Sequence, residues 1–533
     1  MKKILYILVL SISFSSCDKW LDVNENPDSA DITVPTAEQR LPPLLAQFAD
    51  CYESSGTRTA LLTQQIAVTY AANNNNWNFT RWDANAANSG WPWQAWYVNT
   101  GINIDPMIAA AEKVGAYHYI GVGKVMKAWG FGTLSDLFGM LPYDQFDDPS
   151  IITPKFEDGS YIQEKVIGLL DEAIADLGKT QEEFAPALSV GDMLNGGDVN
   201  KWIRLAYGLK ARYLNHLAKK ASYNPQAVLD ALANAPQTDA QSSIYQYVDE
   251  GPDVTSASKQ ALQYTNTGTT ARITKLYYDY ITNNYTGAPT GATNMEDPRI
   301  DLLIPSSTLN GVLTRTQGVD MQSALPATGP LARDSVYVQL RKAPYAPASG
   351  ERIVSTGTWY TQRGSKGLLL TNAEMRFIEA EVKFRQNQPD AALAAYKAGI
   401  RSHMGIMGIA ADRIEAYLNS SSVVQVPANL TLSHIMIQKY IALSYSPETF
   451  SDVRRMDYCT DASGNYNEAS GIYKGFNRPS HVYIEAYPSA TNWPRRFAVP
   501  SYEINYNLAE VLKANPNASL PTYVNEPIWW DKP

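Results

Sequence analysis

Between Lys124 and Asp144 the chain reads KVMKAWGFGTLSDLFGMLPYD, and this stretch constrains the fold most. Val125, Trp129, Leu134, Leu137 and Phe138 recur near one face at helical spacing, so a helix is expected there. Gly139 offers a left-handed cap, and Leu141-Pro142 follows with a residue that cannot continue the helix, so it must stop abruptly. Inside it, Gly130 and Gly132 each cost about 1 kcal/mol of helix propensity. Two such costs in one helix imply a tertiary reason, such as another element packing closely at that point.

The chain's start carries a different signal. Lys2 and Lys3 precede an apolar run from Ile4 to Leu10, and Ser15-Ser16 stand just before Cys17. This reads as an export signal over residues 1–16, too short to span a bilayer. A cysteine directly after small residues resembles a bacterial lipobox, although Phe14 stands where that pattern more often has Leu. The resemblance implies a lipidated Cys17 as the mature N-terminus, and acyl chains contribute about 0.8 kcal/mol per buried CH₂ to membrane anchoring. An ordinary secretory signal with an incidental cysteine is the other reading.

Loss of residues 1–16 removes Lys2 and Lys3 and no acid, so the formal charge moves from -9 to -11. That argues against nucleic acid as a partner and against a polybasic membrane patch. Tyr (33) and Trp (12) together far outnumber Phe (13), and aromatics with a polar handle suit half-wet surfaces, including platforms for sugar rings. Besides Cys17, only Cys51 and Cys459 remain. Cys51 lies on an expected helix beside Phe48 and Tyr52, which favours a buried free thiol over a disulfide framework.

The first mature residues, Asp18 to Ala37, are polar and turn-rich. Arg40 to Ala71 reads as mostly helical, and Asn73 to Asn99 breaks that pattern with Trp77, Trp82, Trp91, Trp93, Trp96 and Tyr97 among asparagines and glycine. Helical character returns from Asp105 to Phe138. Ile162, Val166, Leu169, Leu170, Ala173, Ile174 and Leu177 trace an amphipathic helix. Trp202, Leu205, Ala206, Leu209, Tyr213 and Leu217 trace another, with Asn200 as its expected N-cap. Asn224-Pro225 starts a shorter one through Leu229 and Leu232. Two more are parted by Asn387-Gln388-Pro389, with Ala373, Phe377, Ala380 and Phe384 on one and Leu393, Tyr396 and Ile400 on the other. Paired helices of this length stack into tetratricopeptide-like arrays, and AEVKFRQNQPDAALAAYKAGI resembles that repeat. From Ala235 to Leu368 the pattern dissolves into Thr, Ser, Gly, Pro and Tyr, with local helix only around Ile273 to Ile281. That length implies a loop-rich subdomain rather than a simple loop.

Several motifs now stand in order: LSDLFGMLPYDQ, Pro154-Lys155-Phe156, IQEKVIGLLDEAIADL, GGDVNKWIRLAYGLKARYLNHLA, MEDPRIDLLI, LTNAEMRFIEAEVKFR, IMIQKYIALSYSPETFSDVRR and NWPRRFAVPSYEINYN. Jointly they resemble the SusD/RagB family of outer-membrane nutrient-binding lipoproteins, its SusD-like subgroup in particular. The resemblance implies an all-α, tetratricopeptide-like helical-pair scaffold with a large loop-rich ligand-facing region. It places a 17–39 tether before a 40–533 domain, with scaffold over about 40–235 and 368–450, an irregular subdomain over about 236–367 and a loop-rich C-terminal part from 451. It further implies a lipid-anchored protein on the cell surface that captures an oligosaccharide or a peptide. The partner implied is a SusC-like TonB-dependent transporter barrel, and no cofactor is needed.

The residues themselves point to few sites. Arg454 and Arg455 after Asp452 suit structural ion pairs, and Asp297-Pro298-Arg299 suits a turn with a fixed salt link. Trp129 and Trp202 belong to core stripes, while Trp93, Trp96 and Tyr97 lead into a helix and are expected to pack. Trp77 and Trp82 lie in NNNNWNFTRWD, where nothing apolar recurs. With Arg81 they form either a sugar platform with amides at its rim or a pin holding a loop to the scaffold. Tyr285, Trp359 and Tyr360 are further candidates of the same type.

For chemistry there is no H-E-x-x-H, G-x-S-x-G or Walker loop, and five scattered histidines form no metal-like pair. The loop DASGNYNE from Asp461 has oxygen ligands for calcium but carries Tyr466 where an EF-hand needs Gly. Asp144 with Asp147 leaves open a surface helical glycoside hydrolase. A third reading is an envelope scaffold with no small ligand.

Overall fold

The computed structural model describes residues 35–68, 75–87, 89–248, 258, 271–323 and 350–533. The signal 1–16, Cys17 and most of the 17–39 tether lie outside those residues. Among the described residues, the helices used below are α1 Ala37–Leu62, α2 Ile104–Glu112, α3 Tyr117–Phe138, α4 Gly159–Leu177, α5 Val199–His216, α6 Pro225–Asn234, α7 Lys275–Ile281, α8 Asn372–Arg385, α9 Pro389–Ile406, α10 Leu432–Ala442 and α11 Glu448–Arg455. The all-α, tetratricopeptide-like expectation holds. Helix α3 packs on α4, α5 on α6, and α8 on α9, while α4 against α5 and α8 against α10 join the pairs into a stack.

The organising stretch behaves as its sequence dictates. Helix α3 stops at Phe138, and Gly139 adopts φ 86°, its N–H donating to Ser135 O at 2.8 Å. Its interior glycines have distinct reasons. A Cβ on Gly130 would lie 2.0 Å from the Trp96 indole, and one on Gly132 would lie 2.3 Å from the Tyr213 ring of α5. Each glycine is a seat for an aromatic side chain, and Tyr213 then donates its hydroxyl to the Trp129 carbonyl at 3.1 Å.

Side-chain caps start several of these helices, Asp158 that of α4 and Thr371 that of α8 among them. Asn224 accepts from the N–H groups of Gln226 and Ala227 with Pro225 in the first turn, as expected. Helix α5 is capped by Asp198, which accepts from Lys201 N, and Asn200, the expected cap, is already inside the helix. Helix α1 ends at Leu62, well short of Ala71, because Gln64 takes φ 56° and Ile66–Val68 leave as a strand paired with Ala271–Ile273.

The irregular stretch is fastened at both ends. Ser243–Gln246 pairs antiparallel with Lys366–Leu370, so the chain departs from and returns to the same place beside α5. Within it, Ser306–Leu309 lies between Val312–Arg315 and Glu351–Ser355. The two-residue turn Asn310-Gly311, at φ 52° and 80°, closes that hairpin as such a pair should.

Buried charge ties the stack together. Arg455 meets Glu381 of α8 at 2.9 Å and Asp452 at 2.6 Å, and Lys439 of α10 meets Asp452 at 2.8 Å. Against burial, which raises it, the Arg455 guanidinium holds the Glu381 carboxyl far below its ordinary range. Arg454 differs from the expected ion pair: it donates to the carbonyls of Asp136, Phe450 and Arg495 and lies over the Phe450 and Trp530 rings. Asp297 and Arg299 form the expected salt link at 2.6 Å, both fully buried. Cys51 and Cys459 are free thiols, both buried.

Candidate functional site

A groove of about 710 Å³ lies between the loop after α7 and the segment 466–475. One wall begins at Thr274, whose hydroxyl accepts from Tyr277 N and so caps α7. After Ile281 the chain turns through Asn283, at φ 53°, and is pinned three times. Asn283 donates to Ser422 O at 2.8 Å, Asn284 donates to Asp279 Oδ1 at 3.0 Å, and His434 Nε2 bonds the Gly287 carbonyl at 2.8 Å. Tyr285 sits within this fixed loop, half-buried, with its ring edge-on to Tyr280 at 5.8 Å. Burial alone pushes its phenol up.

The facing wall is organised by Glu468. Its Oε2 accepts from the Tyr466 hydroxyl and from Gly475 N at 3.0 Å. Burial raises this carboxyl, but those bonds outweigh it and hold the group below the ordinary carboxylate range. Lys474 is turned to the backbone, donating to the carbonyls of Glu468 at 2.7 Å and Ala469 at 3.2 Å. Tyr466 is left 39% exposed, with its hydroxyl anchored and its ring at the groove. The groove continues, through shared Asn283 and Thr290, into a hollow of about 320 Å³ beside Asn294, Glu296 and Ser422. Two aromatic rings among amides and hydroxyls can meet both the apolar faces and the hydroxyls of a sugar chain.

The residues singled out in the sequence do not share one face. Trp82 is fully buried at φ 64°, packed on Trp493 at 5.5 Å and Tyr487 at 5.7 Å. The face expected to meet a sugar is spent on the C-terminal part, so Trp82 is a loop pin. Arg81 beside it donates to the His481 carbonyl at 3.3 Å. Tyr360 is also buried, its hydroxyl bonded to His403 Nε2 at 2.8 Å. Arg299 approaches the other ring nitrogen at 3.0 Å and, with burial, holds His403 neutral. Trp359 is half-buried, edge-on to Tyr360 at 4.6 Å. The Trp77 side chain lies outside the described residues. Of the five candidates whose side chains are described, Tyr285 alone lines the groove.

Sequence reading missed Tyr466 and Glu468 as partners of Tyr285. Tyr466 registered only as a departure from a calcium-loop pattern. In the fold, Asp461 Oδ1 accepts from the N–H groups of Ser463 and Asn465, which makes the loop an Asx turn.

Among the described residues one cluster has the composition of a metal site, namely Asp136, His216 and Glu448, all buried. His216 lies 2.5 Å from Glu448 and 3.3 Å from Asp136. Burial lowers the basicity of this ring, but the two carboxylates outweigh it and raise its pKa to about 9. The imidazolium itself supplies the positive charge that the two acids need. Trp530 donates to Asp136 at 2.7 Å, and Arg212 bonds Glu374 at 2.6 Å, extending the network across α3, α5, α8 and α11. Asp144 and Asp147 are pushed apart. Burial raises Asp144, yet its bonds to Tyr161 and Lys155 bring it below its ordinary range, whereas burial and Asp105 raise Asp147.

No helix among the described residues is long and apolar enough to cross a membrane. Residues 30–469 match a SusD-like family described as starch-binding and associating with the outer membrane. No curated protein matches the chain. The fold is similar to that of a SusD/RagB family protein from Bacteroides thetaiotaomicron (TM-score 0.67, 19% identity, covering 93% of this chain and 99% of that one). It is also similar to a chitin-binding SusD homolog from Flavobacterium johnsoniae (TM-score 0.64, 17% identity, 92% and 98%). A SusD homolog from Bacteroides fragilis aligns comparably (TM-score 0.62, 17% identity, 93% and 100%). Family match and helical stack agree, and the chain belongs to the SusD-like family of outer-membrane-associated, carbohydrate-binding proteins.

Proposed function

We propose that the protein is a surface-exposed lipoprotein, anchored through acylated Cys17, that captures an oligosaccharide and passes it unchanged to a SusC-like TonB-dependent transporter barrel. The observation that carries this reading is the groove, where Tyr285 and Tyr466 bring two half-open rings among Asn, Thr and backbone polar groups. The description of the family as starch-binding supports a glycan as cargo, and the chitin-binding relative supports it further. Affinity from such a shallow contact is modest, and tethering raises the local concentration that makes modest affinity useful. Capture without turnover is the reading we favour because neither Asp144 nor Asp147, the pair open to a hydrolase, belongs to the lining of the groove or of its extension.

A glycan array on the Cys17→Ala chain tests the reading. Retention of oligosaccharides with no released product, and co-purification of the native protein with an outer-membrane barrel, are the expected results. Shortened products in the same assay overturn the capture reading in favour of a hydrolase.

A further inference from the structure

A cavity of about 380 Å³ opens between α1 and the segment 98–103, and it shares no lining residue with the groove. Local sequence shapes it. Ala95–Thr100 is a π-helical turn, a form that is rare and recurs at functional sites. The turn is fixed by Thr100, whose hydroxyl donates to the Ala95 carbonyl at 2.8 Å, and by Gly101, where a Cβ would lie 3.1 Å from the Trp96 ring. Trp96 is turned fully inward onto Gly130, while Val98 stands 61% exposed and Asn99 lies beside it at the surface.

Two kinds of surface meet in this cavity. Pro43, Leu44 and Val98 supply aliphatic carbon, and Gln47, Asn99 and Asn103 bring three side-chain amides. Asn103 Nδ2 donates to the Asn99 carbonyl at 3.0 Å, whereas the Gln47 and Asn99 amides bond no other described residue. Arg40 is already engaged, its Nε donating to the Pro35 carbonyl at 3.1 Å, and among the described residues the lining holds no acid. A primary amide both donates and accepts, so a cluster of them suits hydroxyl groups, which do the same. A carboxylate or phosphate would leave the amide oxygens without donors. The aliphatic surface suits the C–H face of a sugar ring.

Resting on the capture reading for its ligand class, we propose that this cavity is a second saccharide-binding site. Gln47 and Asn99 hold hydroxyls, and Pro43 and Val98 cover the C–H face of the ring. With no aromatic residue in its lining it is the weaker site, by about tenfold or more.

Calorimetric titration of the full mature chain to saturation tests this, with maltohexaose and chitohexaose or, where neither binds, with the glycan the array retains most tightly. Two glycan equivalents per chain are expected, one tighter and one weaker. Gln47→Ala/Asn99→Ala, at amides with no partner to lose, is expected to remove the weaker equivalent and leave the tighter one and the melting temperature unchanged. Tyr285→Ala/Tyr466→Ala is expected to remove the tighter and leave the weaker. A single equivalent that Gln47→Ala/Asn99→Ala does not touch overturns the proposal and leaves capture by the groove standing. A single equivalent that this variant abolishes upholds the cavity as a glycan site and overturns the groove. Retention of neither hexamer, nor of any glycan on the array, overturns the capture reading and this proposal with it.

Discussion

Trp82 shows how a single residue can mislead when only its neighbours in the chain are visible. Its flanks are polar and aperiodic, yet in the fold it is enclosed by Tyr487 and Trp493, which lie some four hundred positions later. Trp82→Ala is accordingly expected to cost about 3–5 kcal/mol of stability, measured by denaturant unfolding, rather than to weaken binding selectively. Trp129 and Trp202 were legible because helical spacing places them on a stripe, and both are buried. His216 was not legible, since the acids around it come from α3 and α11. With a folded pKa of about 9 against an ordinary value near 6.5, its charge contributes stability that is complete below about pH 6.5 and lost as pH rises through about 9. Unfolding free energies compared across that window should fall with rising pH in the native chain, and a His216→Gln chain should show a much flatter dependence. Glu448→Ala, which leaves a buried charge without its partner, is expected to destabilise by about 3–5 kcal/mol.

At the level of elements, periodicity and capping carried most of the information. The stripe of Ile162, Val166, Leu170, Ala173 and Leu177 is buried as its spacing implies, and Asn224-Pro225 starts α6. Boundaries were less legible where tertiary contacts decide them. Apolar residues continue past Leu62, but Ile66–Val68 find a strand partner in Ala271–Ile273, and a strand cannot be told from a helix end by three apolar residues. The glycines of α3 were legible as anomalies, though not as sockets for Trp96 and Tyr213. Gly130→Ala drives a methyl into the Trp96 ring and is expected to cost about 1–3 kcal/mol, seen as a lowered melting temperature, while Gly168→Ala, where no atom lies within 4 Å, should leave it unchanged or raised.

For the molecule as a whole, the helical stack was readable because each pair announces itself locally and the motifs occur in a fixed order. The proposed binding face was not, since its walls come from residues 283–290 and 466–475, and nothing in either loop repeats. Lipidation belongs to this scale too. Cys17→Ala is expected to move the protein from the outer-membrane fraction to the soluble fraction without altering its glycan affinity, as fractionation and titration would show. The central claim is that Tyr285 and Tyr466 hold an oligosaccharide. Isothermal titration of a neutral oligosaccharide into the native chain and into a Tyr285→Ala/Tyr466→Ala chain addresses it most directly. The account predicts at least about tenfold weaker binding in the double variant at a temperature where circular dichroism shows it folded, and undiminished affinity there would contradict it.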